Sequence, residues 1–310
     1  MSRFKKTISK LKKVNFNGKT LENCPLSDKT TYRCGGNARV LLEINTLENF
    51  LCVMQVVEEE NLSYFVLGGG SNTLVSDEGY DGVVIMLGGD LSRIEKIDDT
   101  AFECGGGVRL ASAYVHAYKM GLSGLEDSAG IPATIGGAVC MNAGAYNFEM
   151  SKIVEYVTAY HEGKIEYFDN EKCSFGYRDS IFQHDQYIIL RVGLRLVPME
   201  KEVIGSRYRE VLQKRSLSQP LDMPSGGCVF RRQDGIVVSK ILDECGLKGL
   251  TLGGGQVSTK HANFVVNKGG ALAQDIYEIT EIMSRRVFNK TGVRLHREIK
   301  LLGEFDEVTW

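Results

Sequence analysis

The sequence has 310 residues, with 37 Lys and Arg against 39 Asp and Glu and a formal net charge of -2 at pH 7. Such a length is enough for two or three domains of about 100 to 150 residues, and the near-neutral charge gives no general attraction to nucleic acid or to an anionic membrane. No stretch approaches the roughly 20 apolar residues that span a bilayer, so we predict a soluble protein without membrane insertion.

Cysteine and histidine spacing argues against two further kinds of site. The eight cysteines are scattered singly, without a C-x-x-C pair, which predicts free thiols and a cytoplasmic location, since the cytoplasm is reducing. The five histidines lack the short spacings of metal ligands, so no metal site is predicted.

The first predicted elements are an extension, a helix and two strands. Residues 1–15 form a basic extension without the apolar core of a signal peptide, and we interpret it as a solvated helix. A helix is predicted from Thr46, with one apolar face made of Leu47, Phe50, Leu51, Met54 and Val57. Residues 64–67 are predicted to be a strand, and residues 82–87 a buried strand that opens the next unit.

The remaining elements alternate strands and helices. A helix is predicted at 110–120, strands at 165–168 and 187–197, and a charged helical connection at 198–215. A later helix that ends at Gly292 has apolar residues at helical spacing, namely Leu272, Ile276, Ile279, Met283 and Val287. Residues 298–302 are predicted to be a terminal strand. These elements predict an α+β protein with an α/β unit at 16–80, an α+β unit at 81–210 and a third unit at 211–310.

Glycine is the most over-represented residue, with 35 of 310 positions, and much of the excess lies in short clusters. One cluster is the glycine loop, residues 67–73, in which three glycines after a predicted strand are followed by Ser71, Asn72 and Thr73. Consecutive backbone N–H groups without side chains can bind an anion such as a pyrophosphate, although an ordinary strand-to-turn junction would also explain the glycines. The loop matches neither G-x-G-x-x-G nor the P-loop pattern.

A second feature is the small-residue segment, residues 128–146, which is too long for a single turn. Such a surface suits a flat cofactor. A buried loop that crosses beneath another element would explain the small residues but not the length of the segment.

Three isolated side chains complete the candidate chemistry. Arg178 could offer its planar guanidinium to a carboxylate or phosphate, although a surface ion pair is the ordinary role of such an arginine. Two glycines place Cys228 at the head of a predicted strand, where it could face a cleft or simply fill the core. Glu298 opens the terminal strand, where most glutamates are merely solvated.

Six segments, in this order along the chain, resemble the UDP-N-acetylenolpyruvoylglucosamine reductase family. They are LGGGSNTLVSD, SGLEDSAGIPATIGGAVCMNAGAY, FGYRDSIF, PSGGCVF, GGGQVSTKHANFVVN and REIKLLG. The match runs over residues 31–303, and six segments in one order are far more specific than any single one.

The resemblance implies a vanillyl-alcohol-oxidase-type FAD-binding fold in two subdomains, followed by a C-terminal α+β substrate-binding domain. FAD would lie between the two subdomains, with the substrate under the third domain. The residues implied to contact FAD are Leu67, Gly68, Gly69, Gly70, Ser71, Asn72, Thr73, Gly130, Ala133, Thr134, Gly136, Gly137, Ala138, Asn142, Ala143, Ala145 and Arg215.

The resemblance also implies that NADPH, through FAD, reduces the enolpyruvyl group of UDP-N-acetylglucosamine enolpyruvate to give UDP-N-acetylmuramate, a peptidoglycan precursor. Hydride would pass from NADPH to flavin N5 and then to the terminal vinyl carbon. Arg178 would stabilise the charge that develops on the substrate carboxylate, and Glu298 would position that carboxylate or share a proton with it. Cys228 stands where many relatives carry serine, and its thiol, ordinarily of pKa about 8.5, would protonate the carbon.

Substrate contacts are implied for Tyr177, Arg178 and Arg232. The chain departs from the family pattern at Ala133, where glycine is common, at Cys140, where an aromatic residue is common, and at Arg232, where one branch has asparagine. The short connection at 198–215 places the chain in the short form of the family.

Two alternatives to the reductase are another FAD oxidoreductase with a different substrate and a binding protein without flavin. The second would make Arg178, Cys228 and Glu298 incidental. We expect a monomer or a weak homo-oligomer.

Overall fold

A computed structural model describes residues 8, 10, 18–233 and 235–308. The predicted basic extension lies outside these residues except for Ile8, which is buried against an apolar cluster, and Lys10, which forms an ion pair with Glu60. No helix in the described ranges combines the length and apolar character that crossing a membrane requires.

The chain divides into two compact units, and each draws on separate stretches of sequence. Unit 1 takes Met1–Leu21, Val40–Gly69 and Gly82–Gln213. Unit 2 takes Glu22–Arg39, Gly70–Asp81 and Lys214–Trp310. The contiguous domain boundaries at residues 80 and 210 stay a prediction.

The first sheet has the strand order β1-β2-β5-β3. The first elements are β1 (Gly18–Pro25), β2 (Asn37–Ile44), α1 (Leu47–Glu59), β3 (Tyr64–Val66), β4 (Thr73–Val75) and β5 (Tyr80–Leu87). Strand β5 pairs in parallel with β3 and belongs to the first sheet.

Helix α1 begins where the sequence predicted it. The side chain of Thr46 caps the helix by accepting a hydrogen bond from the Asn49 amide at 3.2 Å. Phe50 and Met54 are fully buried, as the apolar spacing predicted, but Leu51 is 38% exposed, so its place on the buried face was wrong. Asn49 and Val53 complete that face.

The rest of unit 1 is built on an antiparallel sheet of order β12-β11-β13-β7-β6. Its strands are β6 (Ile94–Lys96), β7 (Ala101–Gly105), β11 (Val154–His161), β12 (Lys164–Asp169) and β13 (Ile188–Arg195). Short pairs are formed by β8 (Leu122–Ser123) with β14 (Val197–Pro198) and by β9 (Gly144–Ala145) with β10 (Phe148–Glu149). The helices are α2 (Leu110–Met120), α3 (Ile135–Cys140) and α4 (Lys201–Ser218), whose last residues belong to unit 2.

Unit 2 contains a sheet of order β15-β18-β17-β16 covered by its longest helix. The elements are β15 (Ser225–Cys228), α5 (Val238–Glu244), β16 (Thr251–Leu252), β17 (Gly255–Val257), β18 (Phe264–Asn267), α6 (Ala273–Thr291) and β19 (Lys300–Leu302). Strand β19 pairs in parallel with β4, which comes from the first third of the sequence.

Helix α6 has the predicted apolar face and the predicted C-terminal glycine. Ile276, Ile279, Met283 and Val287 are fully buried, and Gly292 ends the helix at a φ of 75°. Leu272 is 56% exposed, so its assignment to the buried face was wrong. The Asp77 carboxylate accepts hydrogen bonds from the first two amides of the helix at 2.8 and 2.9 Å, which places negative charge at its positive end.

Candidate active site

Gly68 and Gly69, the glycines of the glycine loop that belong to unit 1, approach the small-residue segment. A Cβ atom on Gly68 would lie 2.5 Å from Thr134 Oγ1, and one on Gly69 would lie 2.3 Å from the carbonyl oxygen of Pro132. Neither distance is compatible with a side chain, so these glycines are needed for the two backbones to pack together.

The amides of the glycine loop are available for a ligand. Among the residues that the structure describes, none accepts a hydrogen bond from the backbone N–H of Gly68, Gly69, Gly70 or Ser71. Gly70 has a left-handed φ of 61°. Successive unused N–H groups in a tight turn form the kind of concave surface that binds phosphate oxygens.

The small-residue segment is anchored on one side and open on the other. The Gly136 amide donates to the Gly106 carbonyl at 2.8 Å, and Thr134 Oγ1 caps α3 by accepting from the Gly137 amide at 3.3 Å. A Cβ on Gly137 would meet only Thr134 Oγ1, at 3.4 Å, among the described atoms. The segment therefore presents a surface without side chains at Gly137.

Arg178 lies in a tight turn, residues 176–179, which we call the arginine turn. Gly176 and Asp179 form an isolated antiparallel bridge, and Arg178 itself has a left-handed φ of 54°. Its guanidinium donates to the carbonyl oxygens of Asn142, at 3.5 Å, and Gly144. The guanidinium carbon lies 5.1 Å from the ring centre of Tyr177, a cation–π distance.

Tyr177 and Asn142, both predicted as ligand contacts, differ in the exposure of their side chains. The Tyr177 side chain is 46% exposed and remains accessible. Asn142 is only 2% exposed, and its side-chain amide donates to the Gly176 carbonyl at 2.8 Å and accepts from the Ser151 amide at 3.0 Å. These protein contacts of Asn142 were not foreseen from the sequence.

Unit 2 brings Cys228 and Glu298 side by side. The Glu298 amide donates to the carbonyl of Val229, the residue after Cys228, at 2.7 Å, and Phe230 bridges to Arg297 in an antiparallel pair. Cys228 is half-buried and is the last residue of β15, so the prediction that it heads a strand was wrong. Glu298 lies two residues before β19 begins.

Tyr32 supports the strand that carries Cys228. A Cβ on Gly226 would lie 2.2 Å from the Tyr32 ring, and Thr31 Oγ1 donates to the Ser225 carbonyl at 2.6 Å. The Tyr32 side chain is fully buried, and this burial raises the pKa of its phenol well above the ordinary value. No local pattern marked this residue, because its partner is nearly 200 positions away in the sequence.

Asn72, predicted as a flavin contact, also secures the backbone around Glu298. Its side-chain amide donates to the Glu298 carbonyl at 3.1 Å, and its own carbonyl accepts from the Lys300 amide at 2.8 Å. Thr73 follows as the first residue of β4, paired with Lys300. The end of the glycine loop thus holds a predicted catalytic residue in place.

The two other predicted arginines lie in unit 2. Arg215 is half-buried in the last turns of α4, and Arg232 is exposed on the loop after Phe230. Arg178, by contrast, belongs to unit 1.

Two family models match the chain. Residues 38–163 match the model described as "FAD binding domain", and residues 219–302 match "UDP-N-acetylenolpyruvoylglucosamine reductase, C-terminal domain". With the sheets and helices described above, the first match defines the class of protein, a flavoprotein with an FAD-binding domain, and the predicted α+β fold is confirmed.

Relatives match over nearly the whole length. The UDP-N-acetylenolpyruvoylglucosamine reductase of Clostridium botulinum is 36% identical over 307 residues, covering 98% of this chain and 99% of the relative. That of Clostridioides difficile (strain 630) is 40% identical over 281 residues, covering 90% and 92%. The crystal structure of the reductase from Thermus caldophilus has a TM-score of 0.79 and 36% identity, covering 93% and 99%. The chain belongs to the UDP-N-acetylenolpyruvoylglucosamine reductase family.

The described residues fit FAD in two respects. The unused amides of the glycine loop suit its pyrophosphate, since such N–H groups offer hydrogen bonds to anionic oxygens. The open surface at Gly137 suits a flat ring, because a side chain there would occupy space that nothing else in the described chain fills. Both features lie in segments that were predicted from the sequence to bind a cofactor, the glycine loop and the small-residue segment.

Proposed function

We propose that this chain reduces the enolpyruvyl group of UDP-N-acetylglucosamine enolpyruvate to give UDP-N-acetylmuramate, with FAD as the bound cofactor and NADPH as the reductant. The observation that carries the proposal is 36 to 40% identity, over 90 to 98% of the chain, with reductases of that name. The chemistry that FAD supplies when bound is hydride transfer from NADPH to the enolpyruvyl group.

Arg178 stabilises the negative charge that develops on the substrate carboxylate as the vinyl carbon is reduced. Its planar guanidinium suits a carboxylate, and the carbonyl oxygens of Asn142 and Gly144 hold that plane in one orientation. A charge held in place before reaction needs no reorganisation when the charge develops, which is the main source of electrostatic catalysis. Tyr177 beneath the guanidinium, and Arg232, contribute further contacts to the anionic substrate.

Cys228 donates a proton from Sγ to the substrate carbon that has gained electron density. A thiol is a stronger acid than a serine hydroxyl and can supply this proton. Glu298, held beside Cys228 by the hydrogen bond from its amide to Val229, positions the substrate carboxylate or shares a proton with it.

We further propose a cytoplasmic enzyme that is a monomer or a weak homo-oligomer, with domains at 16–80, 81–210 and 211–310. The support for the location is that all eight cysteines are free, as suits a reducing compartment.

An anaerobic absorbance experiment tests the function. NADPH should bleach the flavin of the purified protein, and the enolpyruvyl sugar nucleotide, added next, should restore the oxidised spectrum. Bleaching without restoration would instead favour an FAD oxidoreductase with another substrate, and purified protein without flavin would favour a binding protein.

Replacing Gly137 with alanine tests the proposed flavin surface. The added methyl group meets only Thr134 Oγ1 within the protein, so we expect the thermal unfolding midpoint of the flavin-free protein to stay the same or rise slightly. If the flavin lies on this surface, the methyl group should weaken FAD binding by about tenfold or more, as overpacking of a close contact does. Fluorescence titration of the flavin-free protein measures the affinity.

Gly205→Ala is the matched control, because Gly205 is also a helical glycine of unit 1 whose Cβ would meet only side-chain atoms of Tyr118 and Arg209. It should bind FAD like the wild type. Unchanged FAD affinity in Gly137→Ala would remove Gly137 from the flavin surface.

A further inference from the structure

Asn142 joins the small-residue segment to the arginine turn through its side chain. Its Nδ2 donates to the Gly176 carbonyl at 2.8 Å, while its Oδ1 accepts from the Ser151 amide at 3.0 Å. With 2% of its surface exposed, the amide is buried with both its donor and its acceptor in use. A buried polar group that is satisfied in this way holds its neighbours in a defined arrangement.

The arginine turn needs such support. Arg178 has a φ of 54°, a left-handed conformation that is unfavourable for a residue with a side chain and persists only where surrounding contacts maintain it. The turn is closed by hydrogen bonds between Gly176 and Asp179, of 3.0 and 3.2 Å, and Asn142 holds the Gly176 carbonyl from outside the turn.

Asn142 acts on Arg178 from a second direction as well. Its main-chain carbonyl accepts from Arg178 Nη1 at 3.5 Å, and the Gly144 carbonyl, two residues later, accepts from Nη2. The backbone of Asn142 also has a left-handed φ, 38°, so its carbonyl direction depends on the conformation that its side chain secures. Asn142 therefore contacts both the backbone of the turn and the guanidinium.

We propose that Asn142 is a positioning residue for Arg178: it sets the place and orientation in which the guanidinium meets the substrate carboxylate. This proposal rests on the proposed function, in which Arg178 stabilises that carboxylate. A displaced guanidinium still carries its charge but no longer points where the charge develops, and displacement of about 1 Å can cost a hundredfold in rate.

The test variant is Asn142→Asp, which keeps the size, the acceptor for Ser151 and the tolerance for a left-handed backbone, but replaces the donor to Gly176 with an oxygen. Asn142→Gly serves as a second variant in case the buried carboxylate prevents Asn142→Asp from folding. Glycine adopts a positive φ without strain, so the glycine variant should fold. Asn170→Asp is the matched control, because the Asn170 side-chain amide also donates to backbone carbonyls, of Ser151 and Val154 at 2.8 and 2.7 Å, without contacting the arginine turn.

We expect the Asn142 variants to reoxidise NADPH-reduced flavin with the enolpyruvyl substrate on the order of tenfold more slowly or worse. Calorimetric titration of the oxidised protein should show weaker substrate binding by a similar factor. The Asn170→Asp control should match the wild type in both measurements.

A double-mutant cycle separates positioning from general destabilisation. In an Arg178→Ala background, adding Asn142→Asp should change reoxidation and substrate binding by less than about twofold, because the side chain that Asn142 orients is already gone. A loss in that background as large as in the wild type would overturn the proposal, since it would show that Asn142 acts independently of Arg178.

The single variants distinguish the role of Arg178 from that of Asn142. If Arg178→Ala leaves reoxidation unchanged, the proposed role of Arg178 is wrong, and that of Asn142 falls with it. If Arg178→Ala slows reoxidation but neither Asn142 variant does, only the positioning role of Asn142 is wrong.

Discussion

Replacing Cys228 with alanine is expected to slow reoxidation of the flavin by the enolpyruvyl substrate by about 10² to 10⁴-fold, the usual contribution of a general acid, while NADPH reduces the flavin at the wild-type rate. The physical reason is that the substitution removes the proton source and little else. The backbone at Cys228 is held by its pairing with Phe264 and by the Glu298 amide on the next residue, so the smaller side chain should not shift it.

Two further variants make this prediction specific to the acid. Cys228→Ser should be intermediate, because a hydroxyl occupies the same place but is a much weaker acid. Cys245→Ala removes another half-buried thiol of the same unit and should behave like the wild type. Rapid-mixing absorbance under anaerobic conditions measures both half-reactions, and wild-type reoxidation in Cys228→Ala would eliminate Cys228 as the proton donor.

Replacing Arg178 with lysine is expected to slow the same half-reaction by about 10² to 10³-fold, the usual cost of losing a preorganised donor to a developing negative charge. Lysine keeps the positive charge, but a single ammonium group cannot reproduce the fork with which Arg178 reaches both the Asn142 and Gly144 carbonyls. The loss should therefore come from geometry rather than from charge, and Arg178→Ala should be slower still.

Arg195→Lys is the matched control for Arg178→Lys. Arg195 is a half-exposed arginine of unit 1 whose partners are Asp98 and Glu155, and exposed ion pairs contribute little. It should leave both half-reactions unchanged. The role assigned to Arg178 would be refuted by a lysine variant that reoxidises its flavin within about threefold of the wild-type rate.

The helix termini were predicted well because residues within a few positions of each end determine where a helix begins and stops. Thr46 begins α1, Gly292 ends α6, and the bounds predicted for α2 are those observed. Leu51 and Leu272 were wrongly predicted to be buried, and each lies at the margin of an apolar helix face. Periodicity predicts the direction in which a side chain points around the helix, but not whether a neighbouring element covers that side chain.

Pairing and support over long sequence distances were less predictable. The strand at β5 was recognised, but its parallel partner was not, since pairing is decided by residues elsewhere in the chain. Local patterns singled out Cys228, Glu298 and Arg178, and the family resemblance implied their roles, but the contacts that hold them were not predicted. Tyr32 under β15 was missed, and Asn72 and Asn142 were predicted as flavin contacts rather than as supports of Glu298 and the arginine turn. Each of these contacts joins residues between 34 and 226 positions apart, which no local pattern encodes.

The interleaved composition of unit 2 has a consequence for synthesis on the ribosome. Strand β4 pairs with β19, and Tyr32 packs against Gly226. Both β4 and Tyr32 therefore leave the ribosome well before their partners have been synthesised. Closing such long loops is entropically costly and slow, and exposed apolar residues such as Leu74 and Tyr32 are then available for wrong contacts. Nascent chains stalled before residue 300 should accordingly depend on chaperones, whereas the antiparallel sheet of unit 1, complete at Arg195, can form while unit 2 is still being made.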